Sequence, residues 1–133
     1  MGFPSEGASD ADARKILIID DEQFIVELLE EVICSFTGHE VKTSSQAKLG
    51  MEMANKEVFD LIIIDNLMPV ILGGDFILQV RNGAGPNKET PFLVVSANPE
   101  EAEKKVVNLE KIFFLKKPIK IPEFNKVMAD ILA

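Results

Sequence analysis

Residues 15–22 read KILIIDDE, an unbroken apolar run, Ile16 to Ile19, that ends in three consecutive acids. Three further runs share its character: DLIIID at 60–65, FLVVS at 92–96 and IFFLK at 112–116. None alternates with polar residues, as a strand with one wet face would. Continuous Ile/Leu/Val runs are the pattern of parallel strands covered on both faces. HEVKTSS, 39–45, is a weaker strand, polar enough for a sheet edge. Helical spacing fills the gaps. Phe24, Leu28 and Val32, flanked by Ile25, Leu29 and Ile33, predict a first helix with a broad apolar face. Ala47, Met51 and Ala54 mark a second, weakened by Gly50, and Phe76, Ile77 and Val80 a third. In PEEAEKKVV, Pro99 suits a first turn, and Glu100 and Glu101 precede Lys104 and Lys105 at ion-pair spacing. Phe124, Val127, Met128 and Ile131 define a fifth helix opened by Pro122. Strand–helix alternation with right-handed crossovers predicts an α/β fold, a doubly wound parallel sheet.

The chain has 133 residues, 47% hydrophobic and 27% charged, which suits one domain with a real core. Its formal charge of −8 speaks against nucleic-acid binding, and no run approaches the ~20 apolar residues of a membrane span. Cys34 is alone, so no internal disulfide forms, and a reducing, cytoplasmic setting is the simple expectation. Residues 1–13 are acidic and rich in small residues, without the apolar centre of a signal peptide, and are expected to be a disordered tail before a domain over 14–133.

Ligands of open parallel sheets bind beyond the carboxyl ends of the strands. Asp20 and Asp21 stand there after the first strand, Asp65 after the third, Ser96 at the end of the fourth, and Lys116-Lys117-Pro118 after the fifth. Taken singly, each has an ordinary structural explanation: a helix cap for Asp20, Asp21 or Ser96, a turn for Asp65, an exposed lysine for Lys117. Together they form a complementary set. Carboxylates suit Mg²⁺, which takes oxygen ligands and keeps several waters, and which offsets the crowding of acids at 20–22. Asp65 beside such an ion is a candidate nucleophile toward phosphorus, with Lys117 neutralising a phosphoryl oxygen and the Ser96 hydroxyl donating to another.

These pieces, ILIIDDE, DLIIIDNLMP followed by Gly73, VVSA and FLKKP, resemble in order and spacing the receiver domain of two-component response regulators, the CheY-like family. The resemblance covers about residues 14–133. It implies a flavodoxin-like (βα)5 fold with a five-stranded sheet in the order 2-1-3-4-5. It implies that Asp65 is the phosphoacceptor, and that Mg²⁺ or Mn²⁺ is held by Asp21, by Asp20 mostly through water, by Asp65 and by the backbone carbonyl of Leu67. Ser96 matches the switch hydroxyl, Phe114 the switch aromatic and Lys117 the phosphate-contacting lysine, before a proline that the family usually holds cis. Implied partners are a sensor histidine kinase or histidine phosphotransfer protein and an unknown downstream protein, with a possible dimer through the face of the fourth helix, fifth strand and fifth helix. No effector follows the fifth helix, so output by protein contact is expected, whether the chain stands alone or is a piece of a larger regulator. Departures are Ile71-Leu72 where the family often has Met-Asp, and Glu110 and Lys111 in place of a Gly-Ala pair.

Other classes remain beside this one. A small Mg²⁺-dependent phosphohydrolase would also use Asp65, but it lacks a general acid: His39, the only histidine, is expected at the surface. The resemblance implies instead a chain that is not an enzyme toward other substrates, catalysing only its own modification. A pure interaction module, never phosphorylated, has no use for the acids, Ser96 and Lys117. A flavin-binding domain shares the fold class but fits the charged strand ends and the lack of Trp and Tyr least well.

Overall fold

A computed structural model of the chain describes residues 13–36 and 38–133. The tail expected over residues 1–13 lies outside them except for its last position. The elements run β1 Lys15–Ile19, α1 Gln23–Phe36, β2 Glu40–Ser44, α2 Ala47–Lys56, β3 Leu61–Ile64, α3 Gly73–Asn82, β4 Phe92–Ser96, α4 Glu100–Lys105, β5 Ile112–Lys116 and α5 Ile121–Leu132. All strand pairings are parallel and the order is β2-β1-β3-β4-β5, as expected.

The continuous apolar runs are explained by what covers each face. Leu17, Ile19, Ile62, Ile64, Phe92 and Val94 pack toward α2, α3 and α4. Ile16, Ile18, Leu61, Ile63, Leu93 and Val95 pack toward α1 and α5. Successive strand residues point to opposite faces, so a strand buried on both sides has no polar positions left. Each fully buried Ile or Leu contributes about 1.5–3 kcal/mol relative to an exposed one.

The first helix differs from expectation. Its buried stripe is Val26, Leu29, Val32 and Ile33, whereas Phe24 is 73% exposed. Phe24 and Val26 are two positions apart, a rotation of about 200° around the helix, so the two point apart. The acids expected to pair within α4 also differ: Lys105 reaches across to Asp75 of α3, at 2.9 Å.

Two glycines allow close approach. A Cβ at Gly50 would stand 2.6 Å from Ile19 Cδ1, so α2 lies directly on β1 only because that position is bare. At Gly73 it would stand 2.7 Å from the Asp65 carbonyl oxygen and 2.9 Å from Asn66 Cα. Those are backbone atoms, so the start of α3 is held against the end of β3. The connection between them turns sharply at Val70, whose φ is 77, with the Ile71 N–H donating to the Pro69 carbonyl at 2.9 Å. This is a γ-turn with a positive central φ, an uncommon and strained conformation for a β-branched residue. Lys111, in place of the family's small residues, also takes a left-handed conformation, φ 63, before β5.

Below the sheet, Asn87 is fully buried and fully used. Its Nδ2 donates to the Ala54 carbonyl at 2.6 Å and the Glu57 carbonyl at 2.8 Å, while its Oδ1 accepts the Phe59 N–H at 2.7 Å and the Thr90 hydroxyl at 2.9 Å. His39 is half-buried rather than a surface residue, its Nδ1 accepting the Arg14 N–H at 2.9 Å where β1 and β2 begin.

Candidate functional site

Parallel pairing brings the strand ends together. Ile19 pairs with Ile64, so Asp20 and Asp65 follow on adjacent strands, and the Asp65 N–H donates to the Ile19 carbonyl at 3.1 Å. The carboxylates of Asp20, Asp21 and Asp65 each place an oxygen within 4.8 Å of the other two. Asp20 and Asp65 are buried, at 2% and 5% exposure, and Asp21 is exposed.

Asp20 does not cap α1 in the usual way. Its Oδ1 accepts the Glu22 N–H at 2.9 Å, two residues on, and the Glu22 carbonyl then receives the Ile25 and Val26 N–H groups at 3.0 and 3.1 Å. This local turn fixes the Asp20 carboxylate and leaves Oδ2 free to face inward. Asp65 is fixed similarly, its Oδ1 accepting the Leu67 N–H at 3.2 Å.

Into this acid pocket comes Lys117. The Lys117-Pro118 peptide is cis, and the Lys117 N–H donates to the Ser96 carbonyl at 2.9 Å. Its ammonium lies 3.2 Å from Asp20 Oδ2 and 3.5 Å from Asp65 Oδ2, and it also pairs with Glu22. Burial alone lowers the Lys117 pKa, but the Glu22 hydrogen bond and the fields of Asp20 and Asp65 carry it above the ordinary lysine value. Burial pushes Asp20 up, against the pull of the Glu22 N–H and Lys117. Lys116 ends β5 exposed and away from the pocket.

Ser96 is fully buried, and its hydroxyl accepts the Asn98 N–H at 3.3 Å. Phe114 is half-buried against the α2–α4 side of the core, not held in solvent. Leu67 stands 51% exposed beside the acids. Two participants were not read from the sequence. Three acids in a row predict mutual repulsion, yet Glu22 is a partner of Lys117. Asn66, inside the DLIIIDNLMP motif, is 1% exposed and bonded to α3. Its signal was a second polar residue, straight after Asp65, at the end of a fully buried run.

The donor set fits a divalent cation. Three carboxylates, Asp20, Glu22 and Asp65, share one ammonium, Lys117, while Asp20, Asp21 and Asp65 place oxygens close enough for one ion. All are hard oxygen donors of the kind Mg²⁺ takes.

Residues 16–129 match the family model of the response regulator receiver domain. The chain belongs to this family. It is 32% identical over 121 residues to the alkaline phosphatase synthesis transcriptional regulatory protein PhoP of Bacillus subtilis, covering 90% of this chain and 48% of that protein. It is 31% identical over 94 residues to the nisin biosynthesis regulatory protein NisR of Lactococcus lactis, covering 71% of this chain and 38% of that one. The receiver thus spans less than half the length of either relative. Among solved structures it is similar to the chemotaxis response regulator CheY4 of Vibrio cholerae, with TM-score 0.79, 27% identity, and coverage of 90% of this chain and 98% of that one. A putative response regulator from Chloroflexus aurantiacus aligns with TM-score 0.79 at 26% identity, again over 90% of this chain and 98% of that one. Among the described residues, no helix is long and apolar enough to cross a membrane.

Proposed function

We propose that this receiver, a unit over residues 14–133, takes a phosphoryl group onto the Asp65 carboxylate from a phosphohistidine of a sensor kinase or phosphotransfer protein. The observation that carries the reading is the buried Asp65, with Asp20 and Asp21 oxygens within 4.8 Å and the Lys117 ammonium 3.5 Å from Oδ2. An Asp65 oxygen bonds to phosphorus while the phosphorus–nitrogen bond breaks, its electron pair leaving with the imidazole. Lys117, already desolvated and charged, exchanges carboxylate partners for a phosphoryl oxygen, so charge forming there meets a preorganised donor. Asp20, Asp21, Asp65 and the Leu67 carbonyl would hold Mg²⁺ or Mn²⁺, which supplies positive charge against the phosphoryl oxygens.

The Ser96 hydroxyl then turns from Asn98 toward the new phosphoryl group, and Phe114, already half-buried, moves further into the room it leaves. Whichever state binds the phosphoryl group better gains population. Output runs through protein contact, by way of a downstream protein or a second copy meeting the face of α4, β5 and α5, and the setting is cytoplasmic. The chain catalyses only its own modification.

Incubation with Mg²⁺ and acetyl phosphate, followed by intact-protein mass measurement, tests this. A stoichiometric phosphoryl adduct that is absent in Asp65→Asn supports it. Continued hydrolysis of acetyl phosphate without an adduct would indicate a phosphohydrolase, and an unchanged mass an interaction module.

A further inference from the structure

Asn66 carries an unfinished set of hydrogen bonds. Its Oδ1 accepts the Gly74 N–H at 3.0 Å, and its carbonyl accepts the Gly73 N–H at 2.9 Å, so both ends tie it to the start of α3. Its Nδ2 is buried with no partner among the described residues. The amide orientation follows from Gly74, because turning it over would set donor against donor. Burying an amide whose N–H groups bond nothing is unfavourable, and buried polar groups without partners are few in native structures. A group held this way points to a second arrangement in which a partner arrives.

The sheet identifies the partner. Ile62 and Ile64 face the α2–α4 side, and Asn66 continues that alternation toward α3. On the next strand Phe92 and Val94 face the same side, and Ser96 continues them. Ile64 pairs with Val94, so Asn66 and Ser96 each lie two residues beyond a register pair, on one face of neighbouring strands. Phe114, paired with Val94 from the far side, completes that face. A hydroxyl has one donor and two acceptor positions. In this structure the Ser96 oxygen accepts the Asn98 N–H at a long 3.3 Å.

We propose that Asn66 is a positioning residue of the switch. When the Ser96 hydroxyl turns to donate to the phosphoryl group, its oxygen accepts an Nδ2–H of Asn66. The amide is then satisfied only in the phosphorylated arrangement. Asn66 therefore destabilises the resting state relative to the phosphorylated one, and its donation polarises the Ser96 O–H toward the phosphoryl oxygen. The inference rests on the phosphoacceptor reading of Asp65 given above.

The test is NMR on the ¹⁵N-labelled chain with Mg²⁺, before and after acetyl phosphate, with intact mass recorded on the same samples. In the chain bearing the adduct, the Asn66 side-chain amide protons shift downfield and exchange with solvent at least about tenfold more slowly. Asn66→Leu, which removes the donor, moves the phosphorylated equilibrium read at Phe114 back toward the resting arrangement by about tenfold, or 1.4 kcal/mol. Should that variant not fold, the wild-type amide decides alone. An adduct with unchanged Asn66 amide shifts and exchange overturns the inference and leaves the phosphoacceptor reading standing, as does a folded Asn66→Leu with wild-type populations. No adduct overturns both.

Discussion

The Lys117 ammonium stands 3.5 Å from Asp65 Oδ2, although 52 residues separate them in the chain. The same nitrogen holds Asp20 Oδ2 at 3.2 Å, and its side chain is only 12% exposed. One cation thus joins the ends of β1, β3 and β5. It neutralises a single charge among four neighbouring carboxylates, which leaves the pocket ready for further positive charge.

Removing one of those carboxylates has two opposite effects. Asp21→Ala weakens Mg²⁺ binding, because one of the three clustered oxygen donors is lost. Without metal the same variant is more stable by roughly 0.5 kcal/mol, the scale of an exposed charge pair. A Mg²⁺ titration and urea melts in chelator measure both. Unchanged metal affinity would remove Asp21 from the site.

Leu67 bears on the lifetime of the phosphorylated state. It is 51% exposed, directly beside the acids, and its side chain can neither donate nor accept a hydrogen bond. Asn98, past Ser96 and exposed, can still orient water. Shielding by Leu67 outweighs this, since an ill-placed water forfeits much of a proximity gain of ~7–11 kcal/mol. Slow self-dephosphorylation is therefore the expected outcome. Leu67→Asn or Leu67→Glu accelerates it by about tenfold, below the ~10²–10⁴ of a fully positioned base. The decay of the adduct mass measures this, and a half-life unchanged or lengthened refutes it.

The Asn87 network supports the fold rather than the chemistry. Asn87→Ala strips a partner from the Phe59 N–H and from the Ala54 and Glu57 carbonyls, while the Thr90 hydroxyl keeps the Phe59 carbonyl as its acceptor at 3.1 Å. The loss is about 3 kcal/mol, in line with buried groups left unsatisfied at ~1–3 kcal/mol each and partly rehydrated. Urea unfolding reads it as a lower midpoint at unchanged slope, and a loss under about 1 kcal/mol would count against the network.

His39 makes stability fall in mild acid. Burial, then the charge of Arg14, lowers its pKa below the usual 6.5. Its Nδ1 is an acceptor for the Arg14 N–H, a role that the imidazolium loses. A depressed folded-state pKa means the contribution is fully present above about pH 6.5 and disappears as pH falls through the folded value. Between pH 7 and 5 the urea midpoint drops in wild type and drops less in His39→Gln. Parallel pH profiles would show that His39 is not the group responsible.

Much of the strand content was legible because both-face burial writes itself as continuous apolar runs. FLVVS and IFFLK became β4 and β5 without a residue's change. Asp20, Asp21, Asp65 and Lys117 were legible because parallel strands deliver their carboxyl ends to one edge. Phe24 was misread because an apolar residue at helical spacing does not say which side of the helix meets the sheet. Lys105 was misread because a partner on α3 competes with partners in its own helix, and spacing registers only the second.

By itself the sequence determined the parallel α/β class, the strand-end acids and the lysine before the proline. Local composition and period suffice for these, since a strand's burial is recorded in consecutive residues. Only the tertiary structure decided that Glu22 shares Lys117, that Asn87 and His39 are built into the fold, and that Asn66 lies on the same face as Ser96 with a donor unused among the described residues. Each depends on a partner far away in the chain. A hydrogen bond acts over about 3 Å, and no local pattern records which distant atom folding will bring within that reach.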